Sequence, residues 1–511
     1  MIVSVVGKYA RARAAWIAIA IAGLALGCRQ VDNGAFCCTS ADTCAKFGVT
    51  APNGCAEGLV CDDAAHACLV PGTDHCSGPE DCSPALPFCV NQTCAQCDGA
   101  MGCSAAAPVC ADLACGACAA EGDCAAYVAS DLGHCEVAGA KAGQCVACRS
   151  GADGAGDCAD PAAPICDQNA CRGCTADSEC ASNVCDTSTG ACVAENTVIY
   201  LAPGGSGTDC KLATPCGTFA LGLAQVTGLR KTIKVGAGNY TEAVTIGAKT
   251  VTILGAGATL TPGAINGAGI VVTDGGNVRV AGLRITNAVG NGNADGLRCA
   301  LLSSGPTPVL DVEAMMIDSN AAQGIDASMC QLTVRRSSLA SNAGGGLTIA
   351  GGEWTVENNM IYINGGLSSI GGGVLVSQIT TVGMHVLRFN TITKNGAGSG
   401  VNAGVECSSV TVPLAFSNSI VFGNQVQGGG KQVGGNNCSW TYSDISDTVN
   451  GMGNTTDDPG FADAGQNNYH LSTSSLLEDK ADPAATLAVD FDGDVRPQGT
   501  ARDIGADEIT P

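Results

Sequence analysis

The cysteines between residues 76 and 192 recur at a regular spacing that constrains the fold more than any other feature of the chain. The run C-x5-C-x6-C-x4-C begins at Cys76 and repeats from Cys97, and variants begin at Cys118, Cys148 and Cys174. Each unit is about 20 to 30 residues long and contains few apolar residues other than Ala. Such units cannot build a hydrophobic core, so covalent cross-links must supply their stability.

Four Cys-x-x-Cys pairs join consecutive units, and they begin at Cys94, Cys115, Cys145 and Cys171. Pairs of this kind act as zinc ligands, as redox-active dithiols or as disulfide partners. Zinc requires reduced thiolates, and no βαβ pattern of a thioredoxin-like domain surrounds the pairs. We therefore predict structural bridges, with each pair marking the boundary between two units. Four cysteines allow three pairings, and all three stay open at this point.

The N-terminus predicts export from the cytoplasm. A basic segment at residues 8–13 precedes an apolar run of 13 residues, 14–26, which is too short to span a bilayer and is typical of a secretory signal. The run ends in A-L-G-C, which resembles a bacterial lipobox with Ala25 at the usual Leu position. The resemblance implies a signal peptide over residues 1–27 and a lipid on Cys28. The protein would then be anchored to a bacterial outer membrane or cell surface, and ordinary cleavage with full secretion is the alternative.

Cysteine parity and net charge are consistent with an exported protein. The chain has 33 cysteines, and 32 remain once Cys28 is set aside as the lipid site. An even and dense set of cysteines in an exported chain indicates disulfides. The net charge of −23 and the absence of a basic run in the mature chain argue against nucleic acid as a partner.

The cysteine-rich region, residues 28–192, resembles the Dickkopf-type cysteine-rich pattern and the C-x5-C repeats of bacterial surface proteins by its spacing. The resemblance implies an extracellular, disulfide-stapled module with little regular structure, not a role in receptor signalling. We interpret the region as a semi-rigid stalk, and a passive spacer without a ligand is the simplest form of that interpretation.

Composition changes near residue 193, after which Gly, Asn, Val, Ile and Thr dominate. In four segments an apolar residue is followed five positions later by Ile or Leu, and three positions after that by Asn. The aliphatic anchors are Ile317, Leu339, Ile361 and Ile392, with looser matches at Ile285 and Ile420. The shortest steps between anchors are 22 residues, which indicates a base coil of 22 residues with inserted loops.

Two sets of polar residues recur once per coil, so they should stack on each other at ~4.8 Å. The first is a predicted asparagine ladder at a bend: Asn320, Asn342, Asn364 and Asn395. The second alternates in sign, as expected for outward neighbours on adjacent parallel strands: Glu313, Arg335, Glu357 and Arg388. We interpret the charged set as a device that fixes register, and a catalytic Arg with acidic neighbours is the alternative.

Residues 196–246 read as a strand, a helix-like segment from Pro215 and then a strand, a turn and a strand. This run resembles the N-terminal cap and first coil of right-handed parallel β-helix proteins of the pectate-lyase-like fold. The resemblance implies an all-β domain over residues 193–511, a right-handed parallel β-helix with a short N-terminal capping helix. A helix at that place would cover the open end of the core.

Six cysteines lie in this second half. Cys210 and Cys216 are close enough to close a small loop before the capping helix. The separation from Cys299 to Cys330 is 31 residues, and it is the same from Cys407 to Cys438. Both separations are close to one coil with its insertion, so we predict bridges between adjacent coils.

The C-terminal segment, with D458-P-G-F-A-D and D490-F-D-G-D-V-R-P, resembles the terminal region of bacterial β-helix surface proteins of the choice-of-anchor Q type. Asp490, Asp492 and Asp494 alternate as calcium ligands do in a loop, although no Glu stands where an EF-hand needs one. We favour a capping turn in which Arg496 and Arg502 pair with the acids. The alternative is a bound calcium ion, and the sequence indicates no other cofactor.

Enzyme motifs do not settle the function, because the fold alone hosts many activities. The chain lacks the Gly-His-Gly run of polygalacturonases and has no serine elbow or phosphate-binding loop in a convincing context. Two hypotheses follow. The favoured one is a non-enzymatic, membrane-anchored surface protein that binds a glycan or a surface partner through the β-helix. The other is a polysaccharide lyase or glycoside hydrolase that uses an acidic groove.

Overall fold

The computed structural model describes residues 60–62, 67–69, 76, 78–91, 93–99, 101–151, 156–187, 189–263, 267–290 and 293–510. The predicted signal peptide and Cys28 lie outside the described residues. Contacts divide the chain into two compact units, Met1–Asp160 with Ile165–Arg172 and Pro161–Pro164 with Gly173–Pro511. The second unit therefore includes the last cysteine-rich module as well as the β-helix. Within the described part of the chain, no helix has the length and apolar character needed to cross a bilayer.

Each cysteine-rich module is a loop followed by a two-stranded antiparallel hairpin. Short 3-10 turns lie in several of the loops, at Pro79–Asp81, Glu121–Ser130 and Asp177–Glu179. The hairpins are Val60–Asp62 with Ala67–Leu69, Phe88–Val90 with Thr93–Ala95, Val109–Ala111 with Ala114–Gly116, His134–Cys135 with Cys145–Val146, Ile165–Asp167 with Ala170–Arg172, and Cys185–Asp186 with Ala191–Cys192.

One disulfide pattern holds in all five modules from residue 76 onward: the first cysteine bonds the third, and the second bonds the fourth. The ten bonds are Cys76–Cys89, Cys82–Cys94, Cys97–Cys110, Cys103–Cys115, Cys118–Cys135, Cys124–Cys145, Cys148–Cys166, Cys158–Cys171, Cys174–Cys185 and Cys180–Cys192. The third and fourth cysteines face each other across the hairpin, as Cys89 faces Cys94, yet each bonds back to the preceding loop.

The Cys-x-x-Cys pairs are structural, as predicted. Cys94 bonds backward to Cys82 and Cys97 bonds forward to Cys110, so the pair joins two modules without cross-linking to itself. Sulfur atoms of the two bonds in a module lie close together, within 4.8 Å for Cys97, Cys103 and Cys115. Because these sulfurs are oxidised, they are not thiolates that a zinc ion would bind. Such dense disulfides are typical of a protein that folds outside the reducing cytoplasm.

The second half is a right-handed parallel β-helix with three sheets, which confirms the predicted fold class. The first sheet contains Ser206–Lys211, Thr214–Cys216, Val198–Leu201, Thr232–Val235, Thr250–Leu254, Asn277–Ala281, Val309–Glu313, Gln331–Arg335, Trp354–Glu357, His385–Arg388, Leu414–Ser417 and Cys438–Thr441. The second contains Gly238–Tyr240, Ala258–Leu260, Arg284–Thr286, Met316–Asp318, Ser338–Ala340, Met360–Tyr362, Thr391–Thr393, Ile420–Phe422 and Asp444–Ile445. The third contains Val244–Ile246, Ile270–Val272, Leu297–Ala300, Gln323–Ser328, Gly345–Ala350, Val374–Ser377, Val405–Ser408 and Val433–Gly435.

The core of the β-helix is built from columns of apolar side chains, one residue per coil. In the second sheet the column runs through Ile285, Ile317, Leu339, Ile361 and Ile392, all fully buried. The next member is Val421 and not Ile420, so the sequence prediction for Ile420 is wrong by one position. A shift of one residue turns a strand side chain to the opposite face, and Ile420 packs outside the core with Leu477 and Ile504.

A two-residue turn joins the first sheet to the second in each central coil. Its first residue is left-handed, as in Ala314 (φ 49°), Arg336 (φ 47°) and Asn358 (φ 55°). Its second residue is buried, as in Met315 and Asn359. The left-handed residue bends the chain sharply, and L-residues enter this region at a cost that the stacked coils must offset.

A short helix, Phe219–Ala224, lies against the first strands of the first sheet, where the sequence predicts a capping helix. The side chain of Thr218 accepts a hydrogen bond from the backbone N–H of Leu221 at 3.2 Å, so it caps the helix start. Phe219 is fully buried and packs edge-on against Tyr240, with ring centroids 5.4 Å apart.

The C-terminal segment covers the outer face of the second sheet, a different place from the capping turn that the sequence suggests. It includes the strands Phe461–Asp463 and Asn468–Leu471 and, between them, the 3-10 turn Ala464–Gln466. Its apolar side chains pack on outward residues of the second sheet, as Tyr469 does on Met360. A backbone bond also joins the segment to the turn that precedes the second-sheet strand Ile420–Phe422, where the Gly505 N–H donates to the carbonyl of Asn418 at 3.0 Å.

Candidate functional site

The outer face of the first sheet carries a groove of about 580 Å³ near the start of the β-helix. Its floor is formed by Thr232, Lys234, Thr252 and Arg279, and the last cysteine-rich module contributes Asp177 on one side. This module is part of the same compact unit as the β-helix. The groove is therefore a composite surface that neither the β-helix nor the module forms alone.

Ion pairs fix most of the charged side chains of the groove. The ammonium of Lys234 contacts the Asp177 carboxylate, so it ties the module to the sheet. Arg279 pairs with Glu313 at 2.7 Å, and Arg336 pairs with the same carboxylate at 3.1 Å. Among the described residues, no carboxylate lies within 4.0 Å of the exposed ammonium of Lys231, which is thus the cation available to a ligand.

Asp311 and Glu313 lie on the same face of one strand, two residues apart, and their pKa values shift in opposite directions. Burial acts to raise the pKa of Glu313, but hydrogen bonds and charge from Arg279 and Arg336 lower it below its ordinary value. Burial raises the pKa of Asp311, and the charges of Arg335 and Arg279 offset the rise only in part. Glu313 is therefore a fixed anion, whereas Asp311 is the more easily protonated acid.

The predicted charge ladder is a row of neighbours on adjacent strands of the first sheet. Glu313 faces Arg335, Arg335 faces Glu357, and Glu357 faces Arg388. Glu357 is held on both sides, by Arg335 at 3.2 Å and by Arg388 at 2.9 Å. These paired charges match the arrangement expected for fixing the register of the coils, because neither Arg is left free to act on a substrate.

The predicted asparagine residues form a continuous hydrogen-bonded ladder at the turn after the second sheet. The amide of Asn320 donates to Asn342 at 2.8 Å, Asn342 donates to Asn364 at 2.9 Å, and Asn364 donates to Asn395 at 3.0 Å. The ladder extends beyond the prediction to Asn424, which donates to the Gln432 side chain at 2.8 Å.

A second polar ladder stands at the turn between the first and second sheets, and sequence reasoning missed it. Asn359 donates to Asn390 at 3.0 Å, and the row continues through hydroxyl groups in neighbouring coils. Its members are Ser337, Asn359, Asn390, Ser419, Ser443 and Asn454. Because Ser and Asn both occur in this row, a search for one repeated residue does not detect it. The available signal is a buried Ser or Asn two positions after each first-sheet strand from Gln331–Arg335 onward.

The six cysteines of the second half form the three bridges that their spacing suggests. Cys210 bonds Cys216, Cys299 bonds Cys330, and Cys407 bonds Cys438. The last two bridges each close 31 residues of chain. Cys299 lies on a strand of the third sheet, and Cys330 follows the next strand of that sheet, so the bond joins adjacent coils.

The acidic loop at Asp490 is organised by backbone donors. One oxygen of the buried Asp490 carboxylate accepts the N–H groups of Asp492, Gly493 and Asp494 at 2.8–3.0 Å. The other accepts the N–H of Glu508 at 3.0 Å. Asp492 contacts His470 at 2.9 Å and the Asp494 carboxylate is exposed. Oxygens that face N–H donors are poorly placed for calcium, so these contacts favour a turn at this loop.

The two arginines of this segment behave differently from each other. Arg496 is buried and pairs with Glu508 at 3.1 Å, in line with the predicted pairing to an acid. Arg502 instead donates to the carbonyl of Leu487 at 2.7 Å. The predicted pairing with an acid therefore holds for Arg496 and is wrong for Arg502.

Comparison with known proteins adds little beyond the fold. No family model and no curated protein matches the chain. Among solved structures the chain is similar to the crystal structure of pectate lyase Pel9A, with a TM-score of 0.36 and 15% sequence identity over 61% of this chain and 96% of that chain. The assignment of the parallel β-helix rests on the three stacked sheets themselves.

Proposed function

We propose that this protein is a non-enzymatic, extracytoplasmic surface protein that binds an acidic polysaccharide in the groove on the first sheet. The proposal includes the lipid anchor on Cys28 expected from the N-terminal sequence, at a bacterial outer membrane or cell surface. In this proposal the cysteine-rich modules before Gly173 act as a stalk, and the last module contributes to the groove.

The composition of the groove is the observation that carries the proposal. Four basic residues line it, Lys231, Lys234, Arg279 and Arg336, against three acidic ones. The whole chain has 24 basic and 47 acidic residues, so this is a locally basic site on an acidic protein. Basic side chains attract the carboxylates of a uronate-containing glycan, and threonine hydroxyls on the groove floor hydrogen-bond to sugar hydroxyls.

The ion pairs support binding over bond cleavage. Arg279 and Arg336 share Glu313, and Arg335 and Arg388 share Glu357. A general base or acid needs a proton-transfer group that is not already neutralised by a neighbouring charge. The paired residues are instead suited to present a fixed pattern of charge to a ligand.

One observation favours the second candidate function, a polysaccharide lyase or glycoside hydrolase. Asp311 stands beside Glu313 on the same face of the first sheet, and burial raises its pKa. A carboxyl group with a raised pKa next to an ionised one is the pattern of an acid and base pair. In that case Asp311→Asn would abolish glycan cleavage and leave glycan binding intact.

The test measures binding of polygalacturonate and of an uncharged polysaccharide to the purified full chain, at low and high salt. We expect the wild type to bind the anionic polymer more tightly, with a salt-dependent affinity because the contacts are charged. Lys231→Glu should weaken that binding, since this ammonium has no ion-pair partner among the described residues.

Lys211→Glu is the matched control, because Lys211 is an exposed cation of the same compact unit that does not line the groove. It makes the same change in net charge and should leave affinity unchanged. If Lys231→Glu and Lys211→Glu lower the affinity for the anionic polymer equally, the effect is one of net charge. That result would contradict the groove as the binding site. Release of unsaturated or reducing ends from either polymer would contradict the non-enzymatic assignment.

A further inference from the structure

A second acidic cluster, separate from the Asp490 loop and from the groove, lies at the last coil of the β-helix. Asp444 belongs to the last strand of the second sheet, where it pairs with Ile420 of the preceding coil. Ile420 points out of the core, and Asp444 occupies the same outward column because parallel neighbours share a face. The Asp444 side chain is therefore directed away from the apolar interior and toward the chain that follows it.

The Asp444 carboxylate is buried and has no hydrogen-bond partner. The residue is 0% exposed, and both Oδ1 and Oδ2 lack a donor among the described residues. None of the ion pairs in the described part of the chain includes Asp444. Buried carboxylates are paired with donors or bound to cations in stable proteins, since an isolated one is very costly.

The nearest charged groups increase that cost. The following chain passes beside Asp444, with the Ile445 N–H bonded to the carbonyl of Thr455 at 3.0 Å, and it then exposes Asp457 and Asp458. Burial raises the pKa of Asp444 to about 8, and the negative charges of Asp457 and Asp458 add to the rise. Asp444 and the two exposed acids thus act on one another as like charges, and no ion pair in the described part of the chain includes any of the three.

The oxygen inventory of this cluster suits a hard cation. Thr455 contacts one oxygen of Asp457, and the Gly460 N–H contacts one oxygen of Asp458 at 2.9 Å. One oxygen on each of these two acids, together with both oxygens of Asp444, has no hydrogen bond among the described residues. Calcium takes 6–8 oxygen ligands in flexible geometry, including carbonyl groups and water, so these carboxylates provide the charged part of such a set.

We propose that Asp444, Asp457 and Asp458 form a calcium-binding site that closes the C-terminal end of the β-helix. The cation neutralises the buried Asp444 carboxylate and holds the exposed acidic turn against the last coil. This site is independent of glycan binding, and it replaces the Asp490 loop as the place where the chain binds calcium.

The experiment follows thermal unfolding of the full chain, stripped with EDTA and dialysed, in titrations with calcium chloride. We expect calcium to raise the Tm with a Kd on the order of 10⁻⁴–10⁻³ M, as in extracellular modules. At pH 9, above the pKa of about 8 of the Asp444 carboxyl group, Asp444→Asn should raise the Tm in EDTA, because it removes a buried unpaired charge, and it should abolish the calcium response. Asp458→Asn lies on the exposed turn and should weaken calcium affinity by at least ~10-fold, the lower end for loss of even an outer-shell partner.

Two control variants locate the effect. Asp209→Asn removes one exposed charge from the same compact unit, and Asp492→Asn changes the other acidic loop, so both should keep the full calcium response. The proposal is overturned if calcium leaves the wild-type Tm unchanged, if Asp444→Asn retains the wild-type response, or if Asp492→Asn loses it.

Discussion

The asparagine ladder makes a quantitative prediction about stability, which the variant Asn364→Ala tests. Asn364 is fully buried in the middle of the ladder. Its side chain donates to the carbonyl of Leu339 at 2.8 Å and to Asn395 at 3.0 Å. It accepts from the backbone N–H of Asn342 at 3.1 Å and from the Asn342 amide at 2.9 Å. The substitution therefore removes four buried hydrogen bonds.

The end of the ladder provides an internal reference. The side chain of Asn320 accepts the Ala288 N–H at 3.0 Å and donates to Asn342 at 2.8 Å, so Asn320→Ala removes only two side-chain hydrogen bonds. At about 1 kcal/mol net for each bond, Asn364→Ala should lower the free energy of unfolding by about 4 kcal/mol and Asn320→Ala by about 2 kcal/mol. Asn239→Ala, at an exposed position of the second sheet, should change it by less than ~0.5 kcal/mol.

The assay is guanidinium unfolding of the full chain without reductant, followed by tryptophan fluorescence, because Trp354 and Trp440 are buried in the β-helix. Hydrogen exchange at the backbone N–H of Asn342 adds a local measurement, since this N–H loses its acceptor in Asn364→Ala and keeps it in Asn320→Ala. Equal destabilisation by Asn364→Ala and Asn320→Ala, or unchanged exchange at Asn342, would refute the ladder as a source of stability.

Three further predictions concern cross-links and buried charges. Replacing both Cys299 and Cys330 by Ala should lower the free energy of unfolding by about 4 kcal/mol, because this bridge closes 31 residues. Replacing Cys210 and Cys216, whose bridge closes only 6 residues, should lower it by about 2 kcal/mol. Equilibrium unfolding will distinguish the two values. Backbone N–H donors lower the pKa of Glu136 from 4.5 to about 2. The ionised carboxylate therefore contributes to the free energy of unfolding above pH 4.5, and this contribution is lost as the pH falls toward 2. Acid unfolding followed by circular dichroism will detect the loss. Arg496→Met should cost ~3–5 kcal/mol by leaving the buried Glu508 unpaired, and Glu508→Leu in the same chain should restore much of it in the same unfolding assay.

The β-helix is predictable from the sequence because one position in each coil must hold an aliphatic residue, and this position recurs at the length of a coil. Ile317, Leu339 and Ile361 point into the same narrow bore, so each must be aliphatic and each recurs at the length of a coil. The prediction failed at Ile420, where two adjacent aliphatic residues both fit the pattern. Only the register of the strands shows that Val421 faces the core and that Ile420 faces the C-terminal segment.

The candidate site was not predictable by the same route. Lys231 and Lys234 belong to one coil and Arg279 to another, and the groove also needs Asp177 from a cysteine-rich module. No repeat links these residues, because each occurs once and the loops between coils differ in length. Composition predicts that this module belongs to the stalk, whereas its contacts group it with the β-helix.

The acids of the C-terminal segment show why their function is hard to infer from composition. An irregular segment has no strand partner for its backbone N–H groups, yet these groups must be satisfied when the segment is buried. Asp490 accepts four of them, Asp503 accepts those of Asp479 and Ile509, and Asp507 accepts that of Leu471. A row of acids that resembles a calcium loop is thus used as a set of backbone acceptors. Asp444 differs because the neighbouring N–H groups are already bonded along the sheet, so both of its carboxylate oxygens are without a donor among the residues that the structure describes.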